Sequence, residues 1–184
     1  MAADVTLMLV SAVDQVEVGS QRAWASAEEL QRPRMIYVAK MDKDRADFDK
    51  TLAEMRSQWG PNIAPLQIPI GKGDDFTGVV DVLNMKAFTY GADQSGKGTV
   101  GDVPGDLADA AADARESLIE AIATTDDDLM EKYLDTGELS EVEVKSGLKK
   151  AISSGELVPV LCGCAITNSA TDVLLNAIVD VAPS

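Results

Sequence analysis

The sequence predicts an α/β fold, a mostly parallel sheet interrupted by an inserted α+β subdomain. Three observations predict it. Apolar runs at residues 5–13, 35–39 and 64–70 alternate with two amphipathic stretches, the βαβαβ order of a parallel sheet with right-handed crossovers. After Gly71 that pattern gives way to short strands, a glycine-rich stretch and helical segments. It resumes at Leu157 with a further strand and a closing helix, so residues 72–156 read as an insertion between core parts 1–71 and 157–184.

Each element follows from its residues. The run at 5–13 is nearly continuous in apolar side chains, as expected of a parallel strand covered on both faces. Residues 21–30 place Trp24, Ala27 and Leu30 on one helical side, and 35–39 forms the second strand. The next helix carries Phe48, Leu52, Met55 and Trp59 at helical spacing, and 64–70 is the third strand. Within the insertion, 76–82 and 86–90 read as paired short strands. Helical stretches follow at 104–123, 126–134 and 140–153, the last opening on Ser140-Glu141-Val142-Glu143, a capping box. The core resumes as a strand at 157–161 and a helix through Val173, Leu174, Ala177, Ile178 and Val181.

Composition narrows the function. With 46% hydrophobic residues in 184, the chain can build an ordinary core. No apolar run approaches a membrane span and no signal peptide opens the chain, so a cytoplasmic protein with no membrane partner is expected. Acidic residues outnumber basic ones 31 to 16, a formal net charge of −15 that repels phosphate backbones and argues against direct DNA binding or a broad RNA surface. Cys162 and Cys164 without any histidine cannot supply a four-ligand zinc site, and read as a reduced thiol pair. No metal site and no catalytic residue are assigned.

Two strand ends stand out. Ala39-Lys40-Met41-Asp42 follows the second strand, and Gly163-Cys164-Ala165-Ile166 follows the strand at 157–161. Such loops at strand ends are where open α/β sheets hold ligands. The first is one residue away from Asn-Lys-Met-Asp, the guanine-specificity sequence of GTP-binding proteins, and the second, Cys164-Ala165-Ile166, is similar to their Ser-Ala-Leu type loop. A carboxylate at Asp42 can accept from both N1–H and the exocyclic amine of guanine, a bidentate contact adenine cannot reproduce. Lys40 can lay its stem along the purine, and the Ala165 N–H can meet the guanine carbonyl. Cys164 and Ile166 flank that N–H. The first loop also fits a polar strand-to-helix turn, with Asp42 capping or preceding a helix near Asp44.

The resemblance extends along the chain. Residues 4–24, 33–48, 64–90 and 157–184 resemble elongation factor G, the translocation GTPase of bacterial ribosomes, with Gln67-Ile68-Pro69-Ile70-Gly71 and Phe76-Thr77-Gly78-Val79-Val80-Asp81 the most specific segments. It implies a P-loop GTPase-type sheet, GTP or GDP as ligand, and a segment taken from the later part of that family's GTPase domain. No G-x-x-x-x-G-K-[ST] loop precedes the first strand, so this segment alone is expected not to hydrolyse GTP, with Mg²⁺ expected only in a full-length parent. Gly91, Gly96 and Lys97 have a phosphate loop's spacing, but Gly98 stands where a hydroxyl is needed, and a flexible connection is the better reading.

The helix at 104–123 carries an acidic stripe of Asp106, Asp109, Asp113, Glu116 and Glu120 opposite its apolar face. A stripe of this kind is commonly a solvated face. The resemblance implies a second role, docking the ribosomal stalk protein. Departures from the family's pattern keep a further reading open: an elongation-factor-G-like ribosome-binding paralogue with weakened or lost nucleotide use. Ala39 stands where the family has asparagine, Ser11 where relatives commonly place aspartate, Gln15 where they commonly place glycine, and Cys164 where they usually show serine. Relatives of the peptide-release-factor and tetracycline-protection types stay open as well.

Overall fold

The computed structural model describes residues 4–183; residues 1–3 of the first core part and the closing Ser184 lie outside it. Two four-stranded sheets organise the chain. The first is parallel, in the order β1 (Thr6–Ser11), β2 (Arg34–Ala39), β8 (Val158–Cys162), β3 (Ile63–Pro65). The second is antiparallel and consecutive: β4 (Gln67–Ile70), β5 (Gly78–Asp81), β6 (Lys86–Thr89) and β7 (Thr99–Gly101).

The two-residue period of β2 explains how the first sheet is covered. Ile36 and Val38 join Met8, Val10, Phe48, Met55 and Val160 in one buried cluster. Helices α1 (Val18–Glu29) and α2 (Phe48–Trp59) close that face. Met35 and Tyr37 point the other way, into a cluster with Leu161, Leu118, Ile122, Leu148 and Ile152. The latter four come from helices of the insertion, α3 (Ala108–Ala123) and α5 (Glu141–Ser154). The insertion therefore supplies one wall of the core sheet. Between α3 and α5 lies α4 (Asp127–Thr136), and α6 (Thr171–Val181) closes the chain.

Local chemistry sets the helix starts. Ser140 and Glu143 form the expected capping box at α5, with Ser140 N–H donating to Glu143 Oε2 at 2.9 Å. At α2 the cap is Asp47, which accepts from Lys50 N–H at 2.9 Å. Across α1 and α2, the Trp24 and Trp59 rings stack 4.7 Å apart, and the Arg34 guanidinium lies 4.2 Å above Trp24.

Several expectations need correction. β1 is an edge strand, not one covered on both faces: Leu7 and Leu9 are 37% and 66% exposed. The single strand expected at 64–70 is two strands in different sheets. Leu66 is the handover, its N–H donating to Val160 O of the first sheet while its C=O accepts from Val82 N–H. Leu30, expected on the buried side of the first helix, is exposed because α1 stops at Glu29. The stretch at 104–123 opens with a 3₁₀ turn, Gly105–Leu107, before α3, and β7 carries no local signal.

Candidate functional site

The two strand-end loops meet because β2 and β8 are neighbours in the parallel sheet. Gly163 N–H donates to Val38 O at 3.0 Å, and Met41 N–H donates to Gly163 O at 3.4 Å. Ala39 accepts from Ala12 N–H at 2.9 Å, and Met41 is fully buried. From the insertion, Gly73 N–H donates to Met41 O at 3.0 Å. Gly73 has φ +58°, and a Cβ there would sit 3.4 Å from the Lys43 carbonyl oxygen and the Asp44 Cα, so glycine lets the two backbones approach.

Asp42 does not cap a helix, since α2 begins at Phe48 and is capped by Asp47. Its side chain is 19% exposed, with Oδ2 paired to the Lys43 ammonium at 2.8 Å. Its Oδ1 is buried and makes no hydrogen bond to any described residue. Burial pushes the carboxyl up, but the Lys43 ammonium and the neighbouring Cys164 thiol outweigh it and leave Asp42 below its ordinary value. Oδ1 is thus the acceptor of this carboxylate that the protein leaves least engaged.

Lys40 has φ +64°, which turns its side chain across the loop to Asp14, 2.9 Å from the carboxylate. The Ser11 hydroxyl donates to the same carboxylate at 2.8 Å, so Lys40 first and Ser11 second hold Asp14 below its ordinary pKa. Both partners are half-exposed, so the pair orients Lys40 more than it stabilises the fold. Ser11 lies opposite Ala39 in the β1–β2 register, and its hydroxyl is spent on Asp14 and the local turn.

On the second loop, Cys164 is buried and exchanges two backbone hydrogen bonds with Ser169, at 3.0 and 2.9 Å. Ala165 and Ile166 are exposed. Burial pushes the Cys162 thiol well above its ordinary value, which keeps it protonated.

The structure thus gathers Ala39, Lys40, Met41, Asp42, Cys164, Ala165 and Ile166 at one end of the sheet. Asp106, Asp109, Asp113, Glu116 and Glu120 are all exposed, the first in the 3₁₀ turn and the rest on the side of α3 opposite buried Ala111, Leu118 and Ile122. Sequence reasoning missed Asp14, Lys43 and Gly73. Lys43 was legible as a cation beside Asp42, whereas Asp14 and Gly73 meet the loop only through the fold.

Comparison with known proteins shows the family. The chain matches the elongation factor Tu GTP binding domain family over residues 1–184. It is also similar to a crystal structure from Thermus thermophilus, with a TM-score of 0.91 and 34% identity, over 100% of this chain and 27% of that one. The chain therefore spans about a quarter of that relative's length.

Proposed function

Since this chain belongs to the elongation factor Tu GTP-binding-domain family, we propose that it is the base-reading part of a translational GTPase of the elongation factor G type. The observation that carries the reading is the buried, unmatched Oδ1 of Asp42 in a loop bonded to the backbone of Gly163. In this reading Asp42 accepts from the N1–H and amine of guanine, and Lys43 gives up Oδ2 to make way. Lys40, steered by Asp14, lays its stem along the purine, and Ala165 N–H donates to the guanine carbonyl. GTP or GDP is the ligand. No G-x-x-x-x-G-K-[ST] occurs in residues 1–184, so contacts to phosphate and Mg²⁺ are not assigned to these residues.

The resemblance of residues 64–90, which run from the end of β3 through the antiparallel sheet's first three strands, supports the elongation factor G type, and the exposed acids of α3 support docking of a basic ribosomal stalk protein. A second reading, a ribosome-binding paralogue with weakened nucleotide use, is favoured by Ala39 beside Ser11: neither side chain offers the carboxamide that would tie this loop to a phosphate loop. Soluble cytoplasmic action belongs to both readings; no helix among the described residues is long and apolar enough to cross a membrane.

Base preference tests the site. In the full-length protein Asp42→Asn should shift preference from guanine toward xanthine nucleotides, because the amide donates where the carboxylate accepted. Competition calorimetry with GDP and xanthosine diphosphate reads this directly, and an unchanged preference removes Asp42 from the site.

A further inference from the structure

The glycine-rich segment between β6 and β7 is fastened to the base-reading side of the core. Tyr90 Oη donates to Asp172 Oδ1 at 2.5 Å, and Gly98 N–H donates to Asp172 Oδ2 at 3.0 Å. Asp172 stands in the first turn of α6, so both its oxygens hold the two ends of one strap. Burial, then the Asp172 carboxylate, drives the Tyr90 phenol far above its ordinary value and keeps it a donor. In the middle of the strap Gly96 has φ +70°, and a Cβ there would come within 2.3 Å of Asn168 Nδ2.

The strap bears on a strained turn. Asn168 and Ala170 have φ of +57° and +64°, a left-handed conformation that asparagine tolerates and that costs alanine about 1 kcal/mol or more. Such a turn persists only where its surroundings over-determine it. The Cys164–Ser169 backbone pair closes the same turn, so Ala165, Ile166 and Asn168 lie within one hydrogen-bonded loop.

We propose that Tyr90 and Asp172 are positioning residues, latching the inserted sheet's strap onto the 163–170 loop and so holding the Ala165 N–H where it meets the base. This rests on the guanine reading given above. It makes the insertion a support of nucleotide binding as well as a surface for partners.

Cys164 reports on the loop directly. It is 1% exposed and lies within the latched turn, whereas Cys162 belongs to β8. Site-resolved alkylation by iodoacetamide, followed by mass spectrometry, measures how often each thiol is uncovered. In Tyr90→Phe the Cys164 rate should rise about tenfold, the effect of about 1.4 kcal/mol, with Cys162 labelling unchanged. Gly96→Ala, which forces Asn168 aside, should give the same selective rise. Equal Cys164 rates in wild type and both variants overturn the latch. So does an equal rise at both cysteines, which reports general loosening.

In the full-length protein, release of a fluorescent GDP should quicken in Tyr90→Phe by a similar factor. If Asp42→Asn switches base preference while Tyr90→Phe leaves GDP release unchanged, the positioning role is overturned and the base reading survives. If Asp42→Asn changes nothing, the base reading itself has failed, and selective Cys164 labelling still decides whether the strap holds the loop.

Discussion

The hydroxyl of Tyr37 is packed against Gly163, so close that a Cβ on the glycine would come within 2.3 Å of it. That hydroxyl is buried and has no hydrogen-bond partner among the described residues. Burial, with Cys162 and Cys164 nearby, pushes its pKa far above the ordinary tyrosine value. The loop at 163–166 thus starts over an unmatched polar atom.

Two substitutions follow from this contact. Tyr37→Phe removes the unmatched hydroxyl and should stabilise the protein by about 1 kcal/mol. Gly163→Ala should destabilise it by about 1–3 kcal/mol, because the new Cβ also meets the Ser169 carbonyl oxygen at 2.6 Å. In the double variant part of that loss returns, since phenylalanine relieves the hydroxyl contact but not the carbonyl one. Urea unfolding measures all three. Strict additivity would show that the hydroxyl contributes nothing to the clash.

In the guanine reading, position 39 tunes the strength of nucleotide binding. Ala39 is half-buried beside Ser11, and its side chain donates nothing to a neighbouring loop. Ala39→Asn restores a carboxamide and should tighten GDP binding by roughly 1–3 kcal/mol if its partner is otherwise unpaired. Calorimetry on the full-length protein and the variant compares the two. Equal or weaker affinity in the variant would sink this account of the loop.

What was legible in the sequence was local. The second strand, α2 with Phe48, Leu52 and Met55, and the Ser140–Glu143 box all rest on periodicity or cap chemistry within a few residues. The edge position of β1 was not legible, because an apolar run looks the same whether or not a neighbour covers Leu7 and Leu9. Nor was the handover at Leu66, which depends on Val160 and Val82, far away in sequence. The site divides the same way. Both strand-end loops could be read from their residue types, while Asp14, Gly73 and the Tyr90–Asp172 bond exist only once the fold brings them in.

The start of α5 should be acid-sensitive. The Lys132 ammonium first, then the Ser140 hydroxyl and backbone N–H, lower Glu143 from 4.5 to about 2. A carboxyl depressed by folding contributes stability that is present above the unfolded value and lost as pH falls toward the folded one. Its contribution should therefore fade between about pH 5 and pH 2. Glu143→Gln should flatten the pH dependence of stability in that window, and Lys132→Met should do so in part. Thermal melts across the range check this; identical acid limbs in wild type and Glu143→Gln would remove the group from the pH response.

The acids of α3 provide the last test. Asp109, Asp113, Glu116 and Glu120 lie on the face opposite buried Ala111, Leu118 and Ile122, with Asp106 just before them in the 3₁₀ turn. Core packing occupies the other face, so reversing Asp109, Asp113 and Glu116 to lysine should leave circular dichroism and melting temperature nearly unchanged. If the stripe docks a basic stalk protein, its main effect is electrostatic steering, which accelerates encounter more than it deepens affinity. The triple reversal should then slow association with the stalk protein's C-terminal domain at low salt. That difference should shrink as ionic strength nears physiological values and the screening length falls to about 8 Å. Stopped-flow association at several salt concentrations separates the cases: equal rates for both proteins at the lowest salt would leave the stripe as a solvated face.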